Sequence, residues 1–139
     1  QYAGASILVA GPNFGTGSSR EHAVWAIQDY GFRAVISPRF ADIFRNNATK
    51  CGLVPVQVDA AVGEALMHAV EADPTLELVV DVDRRTLSAP AIGLEVDFPL
   101  EDSVRERFLE GLDDIGITLR TEDAITTFEA QRPSWLPTA

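Results

Sequence analysis

The stretch SILVAGPNFGTGSSREHAVWAIQDYGFRAVIS, residues 6–37, has the pattern of a strand, a glycine-rich loop, a helix and a second strand. SILVA and AVIS are short apolar runs rich in β-forming residues, and Gly11-Pro12 ends the first of them. Between them, apolar residues recur at helical spacing before a terminating Gly31: Ala23, Ala26, Ile27 and Tyr30. This order predicts two parallel strands joined by a right-handed helical crossover.

The rest of the chain extends this α/β pattern and then changes it. A second helix is predicted from Phe40 to near Gly52, a third strand in LVPVQV, and a third helix in AAVGEALMHAVEA. After Pro74, the runs LELVVDV, TLSA and IGLEVDF alternate with period two and predict an antiparallel meander. Two C-terminal helices follow, one marked by Val104 and Phe108 and one that Thr121 can cap. We expect one domain over residues 1–132 and a tail over residues 133–139.

Composition excludes several classes of partner. Eleven Lys and Arg against 21 Asp and Glu give a net charge of −10, which repels nucleic acid and anionic membrane. No apolar run approaches the roughly 18–20 residues of a membrane span, so we expect a cytoplasmic protein. The single Cys51 excludes an internal disulfide and cannot by itself build a thiolate cluster or a structural zinc site, so no metal is expected in this chain.

The glycine-rich loop is a candidate anion site, because backbone amides and a helix dipole converge there. Neither nucleotide motif fits, since the loop has no lysine and Arg20 stands where a dinucleotide motif has its last glycine. Ser18 and Glu21 have capping-box spacing, which by itself needs no ligand. A cap uses neither Ser19 nor the glycines, and Arg20 in a first helical turn favours a bound anion. A carboxylate ligand accounts both for the residues that a cap does not use and for the position of Arg20.

Other chemically interesting residues have simpler interpretations. His22 is expected to point inward as a structural histidine, and Trp25 and the phenylalanines to lie in the core. Cys51 precedes a helix-ending glycine and is expected to be a small, half-buried side chain. His68 is expected on a solvated helix face near Glu64.

Two motifs resemble a known family. The Gly-Ser-Ser-Arg-Glu-His sequence at residues 17–22 resembles the swivelling domain of the aconitase superfamily. GLDDIGITL, residues 111–119, and the C-terminal extension are similar to the bacterial 3-isopropylmalate dehydratase small subunits. The resemblance runs from about Ser6 to Pro133 and implies a swivelling β/β/α domain.

The resemblance also implies an activity. Members interconvert 2-isopropylmalate and 3-isopropylmalate in leucine biosynthesis, with a large subunit that carries a [4Fe-4S] cluster, as a heterodimer or heterotetramer; the small subunit alone is inactive. By matching the motif, Ser18 would be the base, and Ser19 and Arg20 would bind a substrate carboxylate. Loop amides would serve as anion donors, and three residues would give structural support. The amides are those of Asn13, Phe14, Gly15, Thr16 and Gly17, and the supporting residues are Glu21, His22 and Asn47, the last tying the second helix to the loop.

The sequence departs from the family pattern at its start. Members carry an N-terminal segment with an Asp-Thr-Asp motif and a loop that discriminates between substrates, and neither is found here. Substrate identity is therefore open among isopropylmalate and the homoaconitate, citraconate and methylthioalkylmalate hydro-lyases, and a non-catalytic anion-binding module is a further alternative. Exposed strand edges could also pair with a second copy.

Overall fold

A computed structural model describes residues 4–17 and 20–133 of the chain. Its centre is a parallel sheet of three strands in the order β1, β2, β3, with Leu8 opposite Val35 and Val35 opposite Pro55. One helix follows each of these strands, as the sequence predicts. The strands are β1 (Ile7–Val9), β2 (Ala34–Ser37) and β3 (Val54–Gln57), and the helices are α1 (His22–Tyr30), α2 (Asp42–Cys51) and α3 (Ala60–Ala72).

The two faces of this sheet bury different sets of side chains, because successive residues of a strand point to opposite sides. Val35 lies in a cluster with side chains of α1 and α2, among them Val24 and Phe44. Ile36 and its neighbours on the other face pack against Leu66 of α3 and against a second sheet. Gln28 Nε2 donates to the carbonyl of Cys51 at 2.8 Å and joins the ends of α1 and α2.

The second sheet is the predicted antiparallel meander. Its strands are β4 (Val79–Asp81), β5 (Thr86–Ala89) and β6 (Leu94–Asp97), paired in chain order. Leu87 and Ala89 of β5 are fully buried against the parallel sheet. The parallel sheet thus has α1 and α2 on one face and α3 with the antiparallel sheet on the other, and the predicted α/β class with parallel core strands is confirmed.

Up to residue 133, where the described part of the chain ends, three helices follow the meander, one more than the sequence predicts. They are α4 (Asp102–Glu110), α5 (Asp114–Leu119) and α6 (Glu122–Ala130). Asp113 caps α5 by accepting a hydrogen bond from the Gly116 amide at 2.7 Å. Thr121 does stand at the N-cap of α6, but its hydroxyl donates back to the Thr118 carbonyl instead of capping.

Several burial expectations are tested by the structure. Phe40, Phe44 and Phe98 are buried, as predicted, and Cys51 is half-buried before the helix-ending Gly52. The predicted burial of Trp25 and Phe128 is wrong, since they are 44% and 68% exposed.

Other features concern the surface and the chain end. His68 is solvated, as expected. Its Nδ1 lies 3.9 Å from Oε2 of Glu71, whereas the sequence suggested Glu64 as its neighbour. None of the described helices is long and apolar enough to cross a membrane. The proposed domain boundary near residue 132 stays a prediction, because residues 134–139 lie outside the described residues.

Gly63→Ala is expected to destabilise the fold. A Cβ at this buried position of α3 would lie 2.8 Å from Cγ and 3.2 Å from Cδ of the rigid Pro38 ring, which follows β2. Helix propensity favours alanine by about 1 kcal/mol, whereas overpacking costs about 1–3 kcal/mol. We expect a net loss of about 1 kcal/mol in the free energy of unfolding, measured by urea denaturation. The exposed Ala65→Ser on the same helix should change it by less than about 0.5 kcal/mol, and a more stable Gly63→Ala protein would contradict the close contact.

Candidate functional site

The candidate site lies at the carboxyl edge of the parallel sheet, where the ends of β1 and β2 meet. In open α/β sheets this edge is where ligands bind. Residues 11–17, here called the glycine loop, follow β1, and the segment from Pro38 to Ala41 follows β2. These two connections are joined at two points of the glycine loop, Gly11 and Phe14.

The base of the glycine loop is held by Ser37, the last residue of β2. Its side chain is fully buried, and its hydroxyl oxygen lies 2.8 Å from the Gly11 carbonyl oxygen and 2.9 Å from the Arg39 carbonyl oxygen, so that its single proton is shared between these two acceptors. The Arg39 amide in turn donates to the Ser37 oxygen at 3.3 Å. One hydroxyl therefore joins the starts of both connections.

The middle of the loop is held by a parallel bridge between Phe14 and Phe40. The Phe14 amide donates to the Arg39 carbonyl at 3.0 Å, and the Ala41 amide donates to the Phe14 carbonyl at 2.9 Å. The Phe14 ring stands edge-on to Phe44, with 5.2 Å between ring centroids. The prediction that the Phe14 amide is an anion donor is wrong, because the bridge uses its hydrogen.

Two residues turn the loop through positive φ, Asn13 at 62° and Gly15 at 84°. At Gly15 a side chain is excluded twice, by this backbone conformation and because a Cβ would overlap the Cβ and ring of Phe44. A Cβ at Gly17 would meet nothing within 4 Å. The first of these glycines is thus required by packing, whereas the second lies at an open part of the loop.

Helix α1 begins later than the capping-box prediction requires. Glu21 is the N-cap residue, its side chain makes no capping hydrogen bond, and its carbonyl accepts from the Val24 and Trp25 amides at 2.8 and 3.0 Å. Glu21 is therefore not the third helical residue, and Arg20 precedes the helix. Ser18 and Ser19 lie outside the described residues, so their predicted roles stay predictions.

Arg20 is exposed immediately before the helix, at the end where the helix dipole is positive. Arg39, also exposed, belongs to the neighbouring connection. Both cationic residues therefore belong to the carboxyl edge of an otherwise acidic protein.

The remaining predicted residues lie nearby. The inward orientation predicted for His22 is wrong, because this residue is exposed and its ring lies 4.8 Å from that of Trp25. Asn47 is half-buried on α2, and its tie to the loop stays a prediction. In the described part, the loop is connected to that helix through Phe14, Gly15 and Phe44.

Sequence reasoning missed Ser37 and Phe44 as supports of the loop. A signal existed for Ser37, because a polar residue that ends a fully buried run such as AVIS needs a hydrogen-bond partner. No such signal existed for Phe44, which looks like any other core phenylalanine.

Two further observations concern possible metal ligands and the pKa of one carboxyl group. No group of three or more His, Cys, Asp or Glu in residues 4–17 and 20–133 is arranged to hold a metal ion. Hydrogen bonds from the Thr75 hydroxyl and amide lower the pKa of Asp73. Asp73 follows the far end of α3, away from the glycine loop.

Comparison with known proteins shows which family the chain belongs to. The aconitase C-terminal domain model matches residues 1–61, and the model of the C-terminal domain of the 3-isopropylmalate dehydratase small subunit matches residues 114–139. The 3-isopropylmalate dehydratase small subunit of Frankia casuarinae is 64% identical over 99% of this chain and 69% of its own length. That of Frankia alni is 62% identical over 99% of this chain and 70% of its own length. The chain belongs to the 3-isopropylmalate dehydratase small-subunit family.

A solved structure of the same family supports the fold. The crystal structure of 3-isopropylmalate dehydratase (leuD) from Methanocaldococcus jannaschii matches with a TM-score of 0.62 and 30% identity, over 88% of this chain and 68% of that one. The resemblance based on the two motifs is thereby confirmed. As a member of the 3-isopropylmalate dehydratase small-subunit family, the chain is a subunit of a hydro-lyase of amino-acid biosynthesis, and a small subunit implies a large one.

Gly15→Ala is expected to destabilise the protein strongly and Gly17→Ala is its matched control. At Gly15 the new Cβ meets both an unfavourable φ and the Phe44 side chain, and we expect a loss of about 2–4 kcal/mol in the free energy of unfolding. At Gly17, with open space and no positive φ, stability should stay the same or rise by less than about 1 kcal/mol. Thermal and urea unfolding measure both variants, and equal effects would contradict this account of the loop.

Proposed function

We propose that the glycine loop and the start of α1 form this subunit's half of a dehydratase active site for isopropylmalate. The observation that carries the proposal is the support by Ser37, Phe14 and Phe44 of a loop that precedes the positive end of α1 in the chain. A preorganised loop beside a cationic helix end suits a dicarboxylate substrate.

In this proposal each residue has a separate task. Ser19 and the Arg20 guanidinium bind one carboxylate, since a guanidinium fork matches its two oxygens. The amides of Asn13, Gly15, Thr16 and Gly17 are the remaining loop donors. Glu21 and His22 support the helix start, and Asn47 supports α2.

Ser18 is the proposed base. As an alkoxide, its oxygen takes the proton on the carbon next to a carboxylate, and the C–H electrons form a double bond as the hydroxyl leaves the adjacent carbon. Hydroxide, the same group that left, then adds to the carbon that lost its proton, and Ser18 returns the proton to the other carbon and becomes an alkoxide again. A serine hydroxyl is a weak base, so the alkoxide requires stabilisation by the helix N-terminus, by Arg20 and by exclusion of water.

The iron–sulfur cluster is proposed to belong to the large subunit. A [4Fe-4S] cluster needs several thiolates, whereas this chain has the single Cys51, at the end of α2 that points away from the glycine loop. Such a cluster supplies a Lewis acid for the leaving hydroxyl. The small subunit then provides the base and the carboxylate site. We place the enzyme in the cytoplasm, as a biosynthetic enzyme, with residues 1–132 as one domain and 133–139 as a tail.

The test of function combines the complete subunit, as its gene encodes it, with the cluster-loaded large subunit of the same organism. Chromatography should show interconversion of 2- and 3-isopropylmalate by the mixture and not by either subunit alone. Preferential turnover of homoaconitate, citraconate or a methylthioalkylmalate would reassign the substrate. Specific binding of these acids without any turnover would support a non-catalytic module and overturn the proposal.

Ser18→Ala should lower kcat for isopropylmalate by about 10²–10⁴-fold, which is the usual cost of losing a positioned base. Association with the large subunit, measured by size-exclusion chromatography, should be unchanged. Ser103→Ala, on the exposed surface of α4, is the control and should retain full activity. If Ser18 only capped the helix, its loss would cost about 1 kcal/mol of stability and leave kcat nearly intact.

A further inference from the structure

We infer that Ser37 is a positioning residue for the proposed dehydratase site, acting through the glycine loop. This inference rests on the proposed function and adds a residue from a different strand to it. Ser37 is fully buried beneath the two connections, so its hydroxyl cannot reach the substrate. Its effect on the reaction must therefore pass through the backbone that it holds.

The hydrogen bonds of Ser37 reach two points that control the loop. The Gly11 carbonyl, accepting at 2.8 Å, belongs to the first residue of the glycine loop. The Arg39 carbonyl, which lies 2.9 Å from the Ser37 hydroxyl oxygen and shares the same proton, also accepts the amide hydrogen of Phe14 at 3.0 Å. Ser37 thus fixes the start of the loop directly, and its middle through the carbonyl to which Phe14 binds.

A hydroxyl at this position has no apolar substitute. Among the described residues Ser37 is the buried polar side chain, and it uses its oxygen both to donate and to accept. Without the hydroxyl, the Gly11 and Arg39 carbonyls lose the donor that they share, and the Arg39 amide loses its acceptor, in a place with little access to water. Threonine carries the same hydroxyl on a β-branched side chain that suits a strand, whereas alanine carries none.

Loop position matters because the proposed catalytic residues follow the loop directly. Ser18 comes immediately after Gly17, and Arg20 comes before α1. A displacement of the loop therefore moves the base relative to the carbon from which it takes the proton. Misplacement by about 1 Å can reduce a rate about a hundredfold.

The first arm of the test is independent of catalysis. Hydrogen exchange of the amides in residues 11–17 is measured on the complete small subunit, as its gene encodes it. Ser37→Ala should accelerate exchange in this loop at least about tenfold relative to α3, because local opening no longer breaks the hydroxyl's hydrogen bonds. Ser88→Ala, a half-exposed serine on β5, is the matched control and should leave the loop unchanged.

The second arm measures the reaction with saturating large subunit, normalised to folded protein by circular dichroism. Ser37→Ala should lower kcat for isopropylmalate by about 10–100-fold, Ser37→Thr should recover it to within about threefold, and Ser88→Ala should match the wild type. A merely structural serine would change the amount of folded subunit but not the normalised kcat. Should Ser37→Ala fail to fold, Ser37→Cys, with a weaker donor of similar size, should give a smaller loss in the same direction.

The outcomes separate this inference from the proposed function. A normalised kcat within twofold of the wild type, or unchanged exchange in residues 11–17, overturns the positioning role. A wild-type complex with no activity toward any 2-hydroxy diacid overturns the proposed function, and the positioning role with it. In that case accelerated exchange would still establish Ser37 as the support of the loop.

Discussion

The candidate site depends on the attachment of one strand end to the next. The Ser37 hydroxyl and the bridge between Phe14 and Phe40 hold the connection after β1 against the connection after β2. A glycine loop has no stable conformation of its own, since glycine loses more backbone freedom on folding than any other residue. The neighbouring connection supplies the contacts that offset this loss.

The layers of the fold make this attachment rigid. Val35 and Phe44 pack on one face of the parallel sheet, while Ile36 and Leu66 pack on the other. β2 is therefore buried on both sides, and its last residue is a fixed point for the loop. Functional groups on a loop keep their geometry only when such a rigid element lies beneath them, which explains why the loop is built over the central strand.

Some parts of this arrangement can be predicted from the sequence and others cannot. SILVA, AVIS and the glycines after α1 and α2 predict their elements well, because apolar runs and C-terminal glycines act through local backbone preferences. The start of α1 is mispredicted, because capping-box spacing does not determine which carbonyl first accepts a helical hydrogen bond. The burial of Trp25 is mispredicted because residue type does not say which face of a helix is covered. The role of Ser37 depends on Gly11, which is distant in sequence but adjacent in space.

The charge of the protein sets a constraint on how a dicarboxylate can bind. At −10, the chain repels an anion at long range, but salt at physiological strength screens that field over about 8 Å. At a contact distance of about 4 Å, one guanidinium attracts one carboxylate by about 4 kcal/mol at an effective dielectric constant of about 20. In the proposed site, the net charge would therefore affect the rate of encounter, whereas Arg20 and the start of α1 would determine the bound position. Closure by the proposed large subunit would lower the dielectric constant around the same groups, so the attraction would strengthen only when the proposed site is complete.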